Sequence, residues 1–378
     1  MGTKKHIQPT LTMNATAIVE SARGFVSFYD PLNALIESHD EFWPRVGHYC
    51  SNLEHYPAVM EALSRLNANS MMDFEKGLFC SIFSVLIADQ LDVEDRRKRA
   101  LFYAGLTQDI GLYMDDYRIG DYFSLMRERV GAIKGPESVD GQKSHALVAY
   151  SLLEEAISDD TLVAELVLHH HANEDGTGYP HNIGEQQLNL EMQILVVANQ
   201  VSDLVMKRDG FDSLFDCRSP LKLASTMFFK RVNGAAYSLL KGAALRLDLD
   251  HSAPVNKERL AEQVALLASF VRDAVSLSGE LVSAEHYRSV RLLRSRIKKL
   301  DLLMNESGLL NVLDDECLNE ARLCMEALPD FLEPTQRLLK EAQEVLPSSR
   351  SAAISQLNIT LKTLLATLTK PRPFSLFI

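Results

Sequence analysis

The chain has 378 residues, 46% of them hydrophobic and 24% charged, enough apolar content for two or three packed domains and too much for a disordered polymer. A formal net charge of −12 argues against a DNA-binding groove, because affinity for a nucleic-acid backbone comes from clustered Lys and Arg; a small phosphorylated ligand stays compatible. Five scattered cysteines without CxxC spacing (Cys50, Cys80, Cys217, Cys317, Cys324) fit reduced thiols. No run of about 18 apolar residues occurs, so neither secretion nor membrane insertion is expected and a cytoplasmic location is.

From Ala15 to about Asn69, short apolar groups alternate with polar ones, and Pro31, Pro44 and Pro57 predict several short helices. From Asp73 the pattern tightens: Leu78, Ile82, Val85 and Leu86 recur at helical intervals. A second helix is expected over Val93 to Thr107, opened by Glu94 and Asp95, whose charges suit a helix N-terminus. Asp115 to Gln142 reads as a long irregular connection. One helical stretch is then predicted from Ser144 to His171, a break at EDGTGYP, and a further helix from about Leu188 to Val205.

Beyond Pro254 the text stays helical and Leu-rich. Val264, Leu267, Val271 and Val275 are expected on one buried stripe. In VRLLRSRIKKLDLL, Arg291, Arg294, Arg296, Lys298 and Lys299 alternate with apolar positions, as in a bundle helix with a solvated basic face. Docking of an acidic partner is the alternative for that face. Pro329, Pro334 and Pro347 are expected to punctuate further helices.

The chemistry concentrates in LVLHHHANEDGTGYP. Adjacent histidines on a helix diverge by roughly 100°, so a metal site built on them needs donors from other segments. His145 stands 25 positions before His170, and Asp109 ends an apolar helix in AGLTQDIG.

Together these segments resemble the HD-GYP family of cyclic-dinucleotide phosphodiesterases. The likeness rests on a Gln-Asp-Ile-Gly stretch similar to the family's HDIG, on His145 opening a helix, on His170 and His171, on the loop Asp175, Gly176, Thr177, Gly178, Tyr179, Pro180, and on LNLEMQILVVAN downstream. It covers about residues 70 to 245 and implies an all-α fold: an HD-domain helical bundle (70–250) flanked by an N-terminal helical region (1–69) and a C-terminal helical bundle (251–378).

The departures from the family pattern fall on one side of its two-metal centre. Lys76 stands where the family has an upstream His, Gln108 where it has the His of the HD pair, and Asn199 where it has a later Asp. Leu112 replaces the family's lysine after the HD pair. The resemblance implies that the surviving set, Asp109, His145, His170 and His171, holds one divalent ion (iron, manganese or zinc), the alternative being a hydrogen-bonded polar cluster without metal.

Phosphodiester hydrolysis by two metals needs both ions, so the expected function is a catalytically impaired regulatory component of cyclic di-GMP signalling. Such a component would bind a protein partner such as a diguanylate cyclase domain. A single-metal phosphodiesterase acting on cyclic di-GMP or another phosphoester, and a nucleotide receptor, are the alternatives; a homodimer is a further expectation.

Overall fold

The computed structural model describes residues 13–37, 39–114, 141–174, 178–181, 183–206, 212–247, 256–307, 309 and 315–368. All regular structure among them is helical, as expected. The helices cluster into two compact units, Met1–Phe211 and Asp212–Ile378. The sequence reading placed its boundaries at 69/70 and 250/251. The first helices pack onto the middle segment; in the second unit the helix of 218–227 packs on helices of the C-terminal region, and the helix of 230–246 packs on it.

In the first unit, Pro31 and Pro57 sit in the opening turns of α2 (Asp30–Ile36) and α4 (Pro57–Asn69), where a missing N–H costs nothing. With α1 (Ala15–Ser27) and α3 (Phe42–Leu53) they form the expected series of short helices. The centre is α5 (Met71–Gln90), capped by Ser70 Oγ accepting from Asp73 N at 3.2 Å. From Gly77 to Ala88 every α5 residue is buried, so this helix is wrapped on all sides.

Its main neighbour is α6 (Asp95–Thr107). The two cross at contact distance because Gly105 lacks a side chain: a Cβ there would lie 2.5 Å from Ser81 N. Truncating Phe79 or Phe83, both fully buried on α5, would cost roughly 3–5 kcal/mol.

Residues 115–140 lie outside the described residues. The single helix expected over 144–171 is two, α7 (Gly141–Ala156) and α8 (Thr161–Leu168). Ser158, Asp159 and Asp160 favour turns over helix interior, and the two carboxylates have partners outside. Tyr56 Oη donates to Asp159 at 2.9 Å, and Arg96 pairs with Asp160 at 3.5 Å. Then α9 (Leu190–Met206) packs against α5.

The second unit comprises α10 (Asp212–Asp216), α11 (Arg218–Met227), α12 (Lys230–Arg246), α13 (Lys257–Glu280), α14 (Arg288–Glu306), α15 (Asp315–Val345) and α16 (Ser348–Thr367). Val264, Leu267 and Val271 are buried as expected. Val275 is 40% exposed, because the stripe follows the helical period to Ala274 and Leu277 instead.

Pro329 and Pro334 lie inside α15 rather than between helices. Fully buried Leu328, Phe331 and Leu332 flank them, and this packing carries the helix through. The basic face of α14 is partly inward: Arg296 donates to Phe331 O at 3.2 Å and lies 4.9 Å from that ring, Lys299 reaches Met227 O, and Arg294 bonds Ser278 O at 3.0 Å.

Candidate metal centre

Four elements of the first unit meet at one buried point. Gln108 caps the end of α6, and Asp109 follows it into a 3-10 turn, Ile110–Tyr113, which packs on α7. His145 comes from the start of α7, while His170 and His171 follow the end of α8. The donor atoms of Asp109, His145, His170 and His171 all lie within 4.8 Å of one another. His145 Nε2 is 3.2 Å from His170 Nε2, 3.3 Å from His171 Nε2 and 3.3 Å from Asp109 Oδ1. The four side chains that the sequence reading grouped as ligands are therefore brought together.

Second contacts fix the rings. His170 Nδ1 donates to Val167 O at 2.6 Å, which directs an unprotonated Nε2 toward the cluster. Burial, with the nearby His145 adding to it, pushes His170 down to about 3 and holds His171 well below its ordinary range. Both rings are thus neutral near pH 7, the form that ligates metals.

Tyr179 stacks on His171 with centroids 4.5 Å apart and 22° between planes. Gly178 makes that stacking possible, since a Cβ there would lie 2.3 Å from His171 O. Pro180 follows in the described part of the loop, whereas Asp175, Gly176 and Thr177 lie outside the described residues.

The other side of Asp109 is occupied by protein. Lys76 Nζ, on α5, is 3.6 Å from Asp109 Oδ2 and 3.0 Å from Asp203 Oδ1. Burial opposes charge on both Lys76 and Asp109, yet their mutual attraction wins: Lys76 is held above its usual range and Asp109 far below the carboxylate range, helped by the hydrogen bond from His145.

Beside this pair, Gln108 Nε2 donates to Asn199 Oδ1 at 3.0 Å and Asn199 Nδ2 to His170 O at 3.4 Å. Gln108 Nε2 also lies 3.4 Å from Cys80 Sγ, which donates to Ser202 Oγ at 3.3 Å. Gln108 Oε1 is buried with no hydrogen-bond partner among the described residues. Cys50, Cys80, Cys217 and Cys324 are free buried thiols, as the spacing predicts; the Cys317 side chain lies outside the described ones.

Sequence reasoning missed Asp203, Cys80 and Ser202. Asp203 was detectable in principle, lying one helical turn beyond Asn199 and so on the same face of α9.

A family model described as HD domain matches residues 79–212. The chain contains an HD domain. It opens within α5, three residues after Lys76, and takes in Gln108 through Asp203. The chain is also similar to the cyclic di-GMP phosphodiesterase PA4108 of Pseudomonas aeruginosa, 25% identical over 136 residues, which are 36% of this chain and 31% of that protein. The chain thus spans about a third of that relative's length. No solved structure matches.

The donor set of the HD domain, three imidazoles and one carboxylate with two neutral rings facing inward, is one that can hold a divalent ion. Among the described residues, no helix is long and apolar enough to cross a membrane.

Proposed function

We propose that this HD-domain protein is a regulatory component of cyclic di-GMP signalling that carries one metal position in place of a two-metal catalytic centre. The observation that carries the reading is Lys76, whose ammonium lies 3.6 Å from Asp109 and 3.0 Å from Asp203 on the side of Asp109 away from the histidines. An ammonium there supplies a positive charge but no Lewis acidity, and the amides of Gln108 and Asn199 are neutral, weak ligands already bonded to each other.

An ion held by Asp109, His145, His170 and His171 would supply Lewis acidity on one side of a phosphoryl group. This chain's own residues do the rest. Asp109 stays ionised beside Lys76, His170 is held as an acceptor by its bond to Val167 O, and Tyr179 covers one face of His171. Efficient phosphodiester hydrolysis needs a second positive centre that also coordinates the attacking oxygen, and Lys76 cannot do so. The reading therefore assigns recognition or partner docking to the domain, with a signalling protein such as a diguanylate cyclase as its partner.

The complete four-donor cluster favours one other reading, a slow single-metal phosphodiesterase. Plasma emission spectrometry on untagged protein, with cyclic di-GMP turnover assayed in added iron and manganese, separates the two. About one ion per chain without turnover is expected. One ion with slow turnover abolished by His170→Ala would favour the second reading. Two ions with fast turnover would overturn both.

A further inference from the structure

At the N-terminal end of α5, Met71, Phe74, Glu75 and Leu78 and the C-terminal half of α1 line a cavity of about 320 Å³. Its walls carry four aromatic rings, Phe25, Phe28, Tyr29 and Phe74, and its lining includes one ionisable acid, Glu75, and no basic residue. Phe25 and Tyr29 stand with centroids 4.6 Å apart at 37°, so their faces form an angled wall rather than a closed stack. Phe28 is 74% exposed at the mouth, while Phe74 is buried at 2%. No described basic side chain lies within ion-pair distance of Glu75, although Lys76, the next residue, is committed to Asp109 and Asp203.

These features select one class of ligand. Aromatic faces attract a cation through their quadrupoles, a lone carboxylate completes the attraction, and an apolar body gains by covering an exposed ring. A carboxylate or phosphate would meet Glu75 with no counter-charge in the lining. The volume lies near the lower end of small-molecule pockets and suits one ring with a short arm. We propose that this cavity is a binding site for a small hydrophobic amine in its protonated form, with the ammonium on Glu75 and the apolar body between Phe28 and the Phe25–Tyr29 wall. Burial already holds the Glu75 carboxyl above its ordinary range, a penalty on its charge that an ammonium partner offsets.

The site is independent of the metal reading: neither the histidines nor any cyclic dinucleotide enters it. Isothermal titration calorimetry on the full chain tests it with three probes of one shape, 2-phenylethylammonium, the neutral 2-phenylethanol and the anionic 3-phenylpropionate. The ammonium should bind at least about tenfold tighter than the alcohol, and the carboxylate should give no measurable heat. Glu75→Gln should erase that preference while leaving the alcohol's affinity within about twofold. Phe28 is so exposed that Phe28→Ala leaves the core intact, and it should weaken ammonium and alcohol alike by several-fold. Equal binding of ammonium and alcohol, preferential binding of the carboxylate, or no heat from the ammonium at about 10 mM would each overturn the proposal.

Discussion

The two sides of Asp109 are both assembled from segments of the first unit, yet they differ in what satisfies their polar atoms. On the histidine side, three ring nitrogens point at one another across 3.2 to 3.3 Å, and at least one of them carries no proton to share. On the lysine side, Lys76, Asp203, Gln108 and Asn199 bond mainly to one another and to Asp109, with Gln108 Oε1 left without a partner among the described residues. The first arrangement gains most from an added cation, and the second has its own. A buried polar cluster is therefore characterised less by its residue types than by whether its donors and acceptors balance internally.

Breaking the open side should produce the largest change. His170→Ala removes a fully buried ring that faces the cluster, and bound metal should fall at least about 100-fold in affinity, read by plasma emission spectrometry after equilibrium dialysis. Metal retained at full occupancy would mean that the cluster is not where the ion sits.

Breaking the closed side should act on stability first. Lys76→Met leaves Asp109 without its nearest fixed cation, and a loss of about 3 kcal/mol in urea unfolding is expected for the metal-free protein. Added zinc or manganese should recover part of it, because the ion then supplies the missing charge. A stability loss that metal cannot reduce would show that Lys76 and the histidine cluster are uncoupled.

Acid sharpens the comparison further. His170 is held down at about 3 and the neighbouring His169 at about 4, both mainly by burial, against an ordinary value of 6.5. The unfolded chain thus binds more protons than the folded one below about pH 6.5. Stability from these rings is complete above that pH and is lost as the pH falls toward 4, by up to about 1.4 kcal/mol per pH unit for each ring. The urea midpoint of metal-free protein should drop between pH 7.5 and 5, and bound metal should make the drop steeper, because acid then also displaces the ion. A flat profile would place the rings in water.

Smallest is Ser202→Ala, which removes the bond from Ser202 Oγ to Asn199 O at 2.7 Å. About 1 kcal/mol of stability should go, with metal content unchanged. A change in metal content would show that the closed side also positions the open one.

Much of this centre was legible because its residues announce themselves. Three consecutive histidines after an apolar run, and an aspartate ending another, are rare enough in one chain to be grouped before any coordinates exist. Lys76 is reached in the sequence only by counting back from Asp109, and in the structure its Nζ lies 3.6 Å from Asp109 Oδ2. Asp203 gives no such signal, because an acid near the end of a helix ordinarily faces water, and the packing of α9 on α5 brings it to Lys76.

The fold was legible in class but less so in its joints. The turn at 157–160 depends on outside partners, Tyr56 and Arg96, that local pattern cannot contain. The continuity of α15 through two prolines depends on burial of Phe331 and its neighbours, which propensity alone opposes.

The ion pair between Lys76 and Asp109 has a consequence for how this chain stays folded. In small metallo-domains the ion is the keystone, and the chain is lost when the ion is scarce. Here the most buried acid of the centre keeps a covalently tethered counter-charge whatever the surroundings contain. Folding therefore does not wait on an ion to neutralise that carboxylate.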